Sequence, residues 1–445
     1  MAIELPDNPA REDLLAGRPT LWLNPSRRKG AISDPNAVAK PVQVQESEAR
    51  WRRFAPLLAA RFPELKETGG KIQSPLLEMN SELRHDMHYD GPDFGRLFVK
   101  ADSELPVAGS IKARGGVFEV LCHAEDLALS EGIISKGGDI MALASDKALA
   151  LFGSRTVTVG STGNLGLSVG IAARALGFKA VVHMSSDAKQ WKVDRLTRLG
   201  VEVVKHQTDF TTAVERAREA ADSDPNTYFV DDEMSEFLFF GYTGAGSELA
   251  AQLQANGVNV DADHPLFVYL PCGIGGSPGG ASFGLKTVYG DNVHCFFVEP
   301  AQSACVMAHM MSGITDHIVS AYDVGLTNKT EADGMAVGRM SPFVAEVMRP
   351  LLSGIFTIGD DDLFRWLWHA WTDQKIKLEP SAVASFAGPD FLLNSGEGRR
   401  YQREEGLTDK MKNATHVMWT TGGSFVPEDQ FQGFVARGKE LCGAG

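Results

Sequence analysis

The chain has 445 residues, 43% of them hydrophobic, and a formal net charge of −14. That length can bury a large core and suggests two domains, while the negative balance disfavours nucleic acid and anionic membranes as partners. No apolar run is long enough to span a bilayer, the first residues carry no basic start or signal core, and Cys122, Cys272, Cys295, Cys305 and Cys442 lack paired spacing, so a cytoplasmic protein with free thiols is expected.

The first hundred residues read as helical and loop-rich. Trp22-Leu23-Asn24-Pro25 leads to a basic trio, Arg27, Arg28 and Lys29, expected on a solvated face, and Glu46 to Phe54 has helical spacing. An apolar run, Leu97-Phe98-Val99, precedes the small-residue segment Leu105 to Gly116 that contains Lys112. From about residue 140 strands and helices alternate. Strands are predicted at Thr156–Val159, Lys179–Met184, Val201–Val204 and Thr227–Val230, with helices at Leu165–Leu176, Gln190–Leu199 and Thr211–Ala221 between them. Gly177 and Gly200 fit helix ends. This pattern predicts a compact unit with a parallel sheet and right-handed crossovers.

A second series follows. Leu249–Ala255 reads as a helix, Leu266–Leu270 as a strand, 273–280 as a glycine-rich turn, Ala281–Val288 as a helix and His294–Val298 as a strand. The aromatic spacing of Asp361–Asp373 is that of a core helix, and Thr415–Thr420 forms a last strand running into Thr421-Gly422-Gly423.

Four segments carry chemistry. Lys112, close to a strand end and two places after Ser110, is poorly placed for a solvated face and well placed to bond an aldehyde cofactor, which points to pyridoxal phosphate. The segment Cys272 to Gly280 has five glycines in nine residues between a strand and a helix, so its backbone N–H groups can converge on a phosphate. It is neither a Walker loop nor a dinucleotide fingerprint: Leu285 follows Gly284 where a lysine would be needed, and Pro278 stands where a third glycine belongs. Gly160-Ser161-Thr162-Gly163-Asn164 is a second loop of this kind. Its N–H groups could hold a carboxylate, and Asn164 could donate to a ring hydroxyl. Thr421 places a hydroxyl at a strand end, where α/β sheets bind ligands.

In order and spacing, these segments resemble the fold-type-II pyridoxal-phosphate enzymes related to tryptophan synthase β. Their pattern is Ser-x-Lys-x-Arg-Gly, a Ser/Thr-x-Gly-Asn loop, a glycine phosphate loop and a late Ser/Thr. Within that group the chain is most similar to the bacterial D-serine dehydratase (D-serine ammonia-lyase) family. The similarity covers Leu21 to Pro25, Pro106 to Gly116, Gly160 to Leu167, Phe239 to Tyr242, Leu270 to Gly280 and Glu379 to Ala382. Ser277, where another glycine is expected, and Ser424-Phe425 depart from the pattern.

The resemblance implies an α/β fold with two open parallel or mixed sheets flanked by helices and the cofactor between them. The expected domains are 1–116 with 234–445, and 117–233. It implies that Lys112 bonds the cofactor, that Gly273, Gly275, Gly276, Ser277 and Gly279 hold its phosphate, and that Asn164 and Thr421 contact its ring. Ser161, Thr162 and Gly163 would bind the substrate. An uncharged Thr421 at the ring nitrogen favours β-elimination, here of water from D-serine. A D-substrate turns its Cα–H away from Lys112, so Thr162 is the expected second proton carrier and Asp232 a candidate to orient or protonate the leaving hydroxyl, or else to cap a helix or turn. Glu299 and Glu379 are candidates for a monovalent-cation (K+ or Na+) site or for ordinary salt bridges. A monomer acting on a small D-amino acid is expected. The rival readings are an L-serine or L-threonine dehydratase of the same fold and a non-catalytic pyridoxal-phosphate-binding protein.

Overall fold

A computed structural model of the chain describes residues 3–161, 163–186, 188–207 and 210–443. Eleven strands run through them: β1 (Leu21–Leu23), β2 (Leu76–Glu78), β3 (Arg96–Ala101), β4 (Thr156–Gly160), β5 (Lys179–Ser185), β6 (Glu202–His206), β7 (Thr227–Val230), β8 (Leu266–Pro271), β9 (Val293–Pro300), β10 (Gly354–Ile358) and β11 (Thr415–Thr420). The residues gather into two compact units, one of 1–41, 74–104 and 245–445, the other of 42–73 and 105–244. The segment 117–233 lies inside the second unit, which also takes in 42–73, 105–116 and 234–244. A division at residue 116 would cut the helix Lys112–Ser130, which packs along its length on the helices Asn164–Leu176 and Glu236–Thr243.

The first unit is built on a seven-stranded sheet in the order β1-β10-β9-β8-β11-β3-β2. Its five inner strands are parallel and its short edge strands β1 and β2 antiparallel. Every residue of β8, β9, β10 and β11 is buried, as strands covered on both faces require. From β8 the chain steps outward through β9 to β10, then returns to place β11 on the other side of β8. The strand order therefore reverses between β8 and β11, and the carboxyl ends of strands at such a reversal are where open α/β sheets bind ligands.

The second unit has a four-stranded sheet, β6-β5-β4-β7, parallel throughout. Here the reversal falls between β4 and β7. Gly241 lets the helix Glu236–Thr243 meet the helix Lys112–Ser130 backbone to backbone, because a Cβ there would stand 2.6 Å from the Arg114 carbonyl oxygen.

Three expectations change. The helix predicted from Ala281 begins at Gly276, so half of the glycine segment forms a helix start. The Arg27 side chain is 7% exposed and pairs with Glu405, so only its neighbours Arg28 and Lys29 belong to a solvated face. Strands β1, β2 and β10 have no counterpart in the sequence reading. The five cysteines are free thiols, four of them buried.

Candidate active site

Lys112 is the first residue of its helix, and the loop before it is contorted: Val107 has φ +75° and Gly109 φ +61°. A β-branched residue there costs about 1–3 kcal/mol, which packing around the loop must offset. The Lys112 ammonium lies 5.8 Å from the centre of the Tyr242 ring, within cation–π range. That ring sits against the helix because residue 115 is glycine; a Cβ would stand 2.3 Å from Tyr242 Cζ.

Three buried polar atoms in this neighbourhood, Ser110 Oγ, Asp232 Oδ1 and Tyr242 OH, have no hydrogen-bond partner. A buried polar atom left unsatisfied costs about 1–3 kcal/mol, so three gathered near one lysine mark a place where a ligand completes the bonding. Burial pushes the Asp232 carboxyl above its usual range; the Lys112 charge pulls it down in part, and Asp231 and Glu233 push it up. Tyr242, burdened by its own burial and by the charges of Asp232 and Glu119, stays protonated.

Glu119 extends this cluster. Seven residues after Lys112, it lies two turns along the same helix face. It is fully buried and accepts bonds from Tyr228 OH at 3.0 Å and Ser235 Oγ at 2.5 Å. Ser235 in turn caps the next helix by accepting from Leu238 N. Burial raises the Glu119 carboxyl to about 7, although both hydroxyls favour its charged form.

The loop after β4 stands beside the segment after β7 at the sheet reversal, so Ser161, Gly163, Asn164 and Asp232 lie at one edge of the second unit. Ser161 is buried, and its Oγ accepts from Gly163 N at 3.2 Å. The helix Asn164–Leu176 starts without a side-chain cap, and a helix start favours an anion. The backbone of Lys112 is tied to that helix, since Ser168 Oγ donates to its carbonyl at 2.7 Å. Thr162 lies outside the described residues.

In the first unit, the glycine segment leaves β8 and Thr421 leaves β11, neighbouring strands at the other reversal. Gly275 has φ +108° and is the N-cap of the helix Gly276–Tyr289, again without a side-chain cap. Gly276 and Ser277 occupy its first turn, and Pro278 has no N–H to leave unpaired. This is a cradle made of backbone donors and a helix dipole. Gly273, just after the strand, could carry a Cβ in ordinary contact with the Gly334 carbonyl at 3.4 Å, so space alone does not require glycine there. Thr420 spends its hydroxyl on Ser103 and the Lys100 carbonyl, while Thr421 beside it is half-buried.

Glu299 is tied to a helix start. Its two oxygens accept from Val306 N and Met307 N, both at 2.8 Å, capping the helix Cys305–Ser312, and burial raises the carboxyl to about 8. Among the described residues it makes no ion pair. Glu379 is buried, and its backbone N donates to the Gly422 carbonyl beside Thr421. The sequence reading missed Tyr242 and Glu119 as members of the site; the seven-residue spacing from Lys112 was the available signal for Glu119.

Comparison with known proteins adds the family. The model of the family described as "Pyridoxal-phosphate dependent enzyme" matches residues 81–400. A protein of Rhizobium etli named "Probable D-serine dehydratase" is 61% identical, covering 98% of this chain and 97% of its own length. One of Bacillus mycoides with the same name is 48% identical over 97% of each chain. Among solved structures, Escherichia coli diaminopropionate ammonia lyase in complex with D-serine superposes with a TM-score of 0.68 at 19% identity, covering 99% of both chains. A processed threonine deaminase isoform 2 from Solanum lycopersicum gives 0.66 at 20%, covering 99% of this chain and 100% of its own. These structures establish the fold.

Proposed function

The chain belongs to the pyridoxal-phosphate-dependent enzymes, and from that membership we propose that it is a lyase converting D-serine to pyruvate and ammonia. One observation carries the substrate: 61% identity across nearly the whole chain to a protein named for that reaction. The residues present suit the cofactor. Ser110, Asp232 and Tyr242 offer unpartnered polar atoms near Lys112, and the uncapped helix start at Gly276 suits a monophosphate.

When bound, pyridoxal phosphate supplies an aldehyde that captures amines and a ring that draws electrons from Cα. Lys112 would provide the amine that holds the aldehyde when no substrate is bound. The first-turn N–H groups of Gly276 and Ser277, with the turn of Gly273 and Gly275, would hold the phosphate; the Gly279 N–H is already given to the Gly275 carbonyl, so Gly279 would contribute space and not a donor. Asn164 would donate to the ring hydroxyl and Thr421 to the ring nitrogen. The start of the helix Asn164–Leu176, with Ser161, Thr162 and Gly163, receives the substrate carboxylate.

The reaction breaks the Cα–H and Cβ–O bonds of D-serine and releases the hydroxyl as water; the enamine left behind takes up water and yields pyruvate and ammonia. Thr162 is proposed as the carrier of the Cα proton, which in a D-substrate turns away from Lys112. Asp232 holds its proton to a higher pH than an exposed aspartate would, which suits an acid that protonates the departing hydroxyl. Incubating the purified protein with D-serine and L-serine separately, and measuring pyruvate, tests the reading. D-serine should be consumed in strong preference; preference for the L-isomer, or no turnover of either, would overturn it.

A further inference from the structure

Asp86, His369 and Asp373 converge in the first unit. His369 and Asp373 are four residues apart on the helix Asp360–Gln374 and so share a face, and Asp86 ends the helix Ser81–Asp86 packed against it. His369 Nδ1 lies 3.2 Å from Asp86 Oδ2 and 3.5 Å from Asp373 Oδ2. The ligand atoms of all three residues lie within 4.8 Å of one another.

An ordinary imidazolium–carboxylate pair closes to about 2.7–2.9 Å with good alignment. Here His369 Nδ1 and Asp373 Oδ2 are both buried and neither makes a hydrogen bond. The spacing instead matches a tetrahedral ion: bonds of about 2.1 Å put neighbouring ligand atoms about 3.4 Å apart. The surroundings are also those of a held site. Thr372 Oγ1 engages Asp373 Oδ1 at 2.7 Å and leaves Oδ2 facing the cluster. Asn80, the cap of the Asp86 helix, donates through Nδ2 to the Asp373 carbonyl at 2.8 Å and through its backbone N to Gln374 Oε1 at 3.1 Å, fixing one helix end on the other. Cys442 Sγ lies 3.6 Å from His369 Nε2, a partner for the nitrogen that would not ligate. Asp86 is 40% exposed, which gives an ion a way in.

We propose that Asp86, His369 and Asp373 form a binding site for a divalent transition ion of the zinc class, completed by water, that clamps the helix Ser81–Asp86 to the helix Asp360–Gln374. One nitrogen and two carboxylate oxygens suit zinc or manganese better than calcium or magnesium, which favour all-oxygen shells. The proposal gives the clamp no part in the chemistry at Lys112, so its test reads bound metal and not turnover.

The holoenzyme, stripped with a chelator, is titrated with zinc chloride, and zinc retained after gel filtration is counted per chain. Wild type should bind one ion saturably, with a rise in melting temperature. His369→Gln and Asp373→Asn should bind at least about tenfold more weakly, while Cys442→Ser should keep the site. Asp86→Asn, at the exposed ligand, gives the same reading should either buried variant fail to fold. Absence of a saturable ion in wild type, undiminished binding in the ligand variants, or loss in Cys442→Ser alone would overturn the proposal.

Discussion

Asp232 and Glu119 are acids that burial drives in the same direction, and the two make different predictions. Asp232 carries an unpartnered Oδ1 near the Lys112 charge. Asp232→Asn keeps the shape and removes the transferable proton, and Thr162→Ala removes the proposed carrier of the Cα proton. Each should lower turnover about 10²–10⁴-fold while the visible absorbance of the bound cofactor persists; wild-type rates would end these assignments. Glu119 is satisfied by two hydroxyls, and its charge is costly. Its folded-state value of about 7 stands above the 4.5 of an unperturbed glutamate, so between those values the folded state holds a proton that the unfolded state has lost. The favourable contribution of that proton is therefore whole below pH 4.5, is lost as pH rises to 7, and leaves a penalty on the order of 3 kcal/mol above it. Glu119→Gln can still meet Tyr228 and Ser235 without that penalty. Unfolding midpoints should show the variant close to wild type at pH 5 and more stable at pH 8; identical pH profiles would contradict the account.

At the scale of elements, the function rests on two helix starts that begin in glycine and carry no side-chain cap, at Asn164 and at Gly276. Gly275→Ala tests the second. A Cβ there would sit 3.0 Å from Val344 Cγ1 on a residue with φ +108°, so the helix start must shift. Pyridoxal-phosphate titration of the apoprotein should show affinity falling about tenfold for each 1.4 kcal/mol of distortion, and unchanged affinity would remove the cradle from the argument. These helices and their strands were legible because strand and helix periods alternate cleanly from residue 156 to 298. The edge strands were not: β1 and β2 have three residues each, too few for a period to show, and their pairing comes from partners far along the chain, such as Leu21 with Phe356. The helix start at Gly276 was misplaced because five glycines read locally as a turn, while packing against neighbours such as Val344 selects the helix. Lys112, Asn164 and the glycine segment could be picked out as motifs. Tyr242 as a site member could not, because its place against Lys112 depends on Gly115 and on helix packing that no local pattern encodes.

For the whole molecule, each unit is an open parallel or mixed sheet with one reversal of strand order; the reversal in the first unit carries the glycine segment and Thr421, and that in the second carries the loop 160–164 and Asp232. The net charge of −14 suits a small-molecule substrate better than a polyanion, and among the described residues no helix is long and apolar enough to cross a membrane. A single chain is proposed as the working unit, which light scattering of the holoenzyme would check at 48.1 kDa. The claim on which the chemistry depends is that Lys112 bonds the cofactor. Borohydride reduction of the holoenzyme, followed by peptide mass mapping, addresses it directly. The peptide containing Lys112 should carry the reduced pyridoxyl phosphate adduct; an unmodified Lys112, or an adduct on another lysine, would contradict the account.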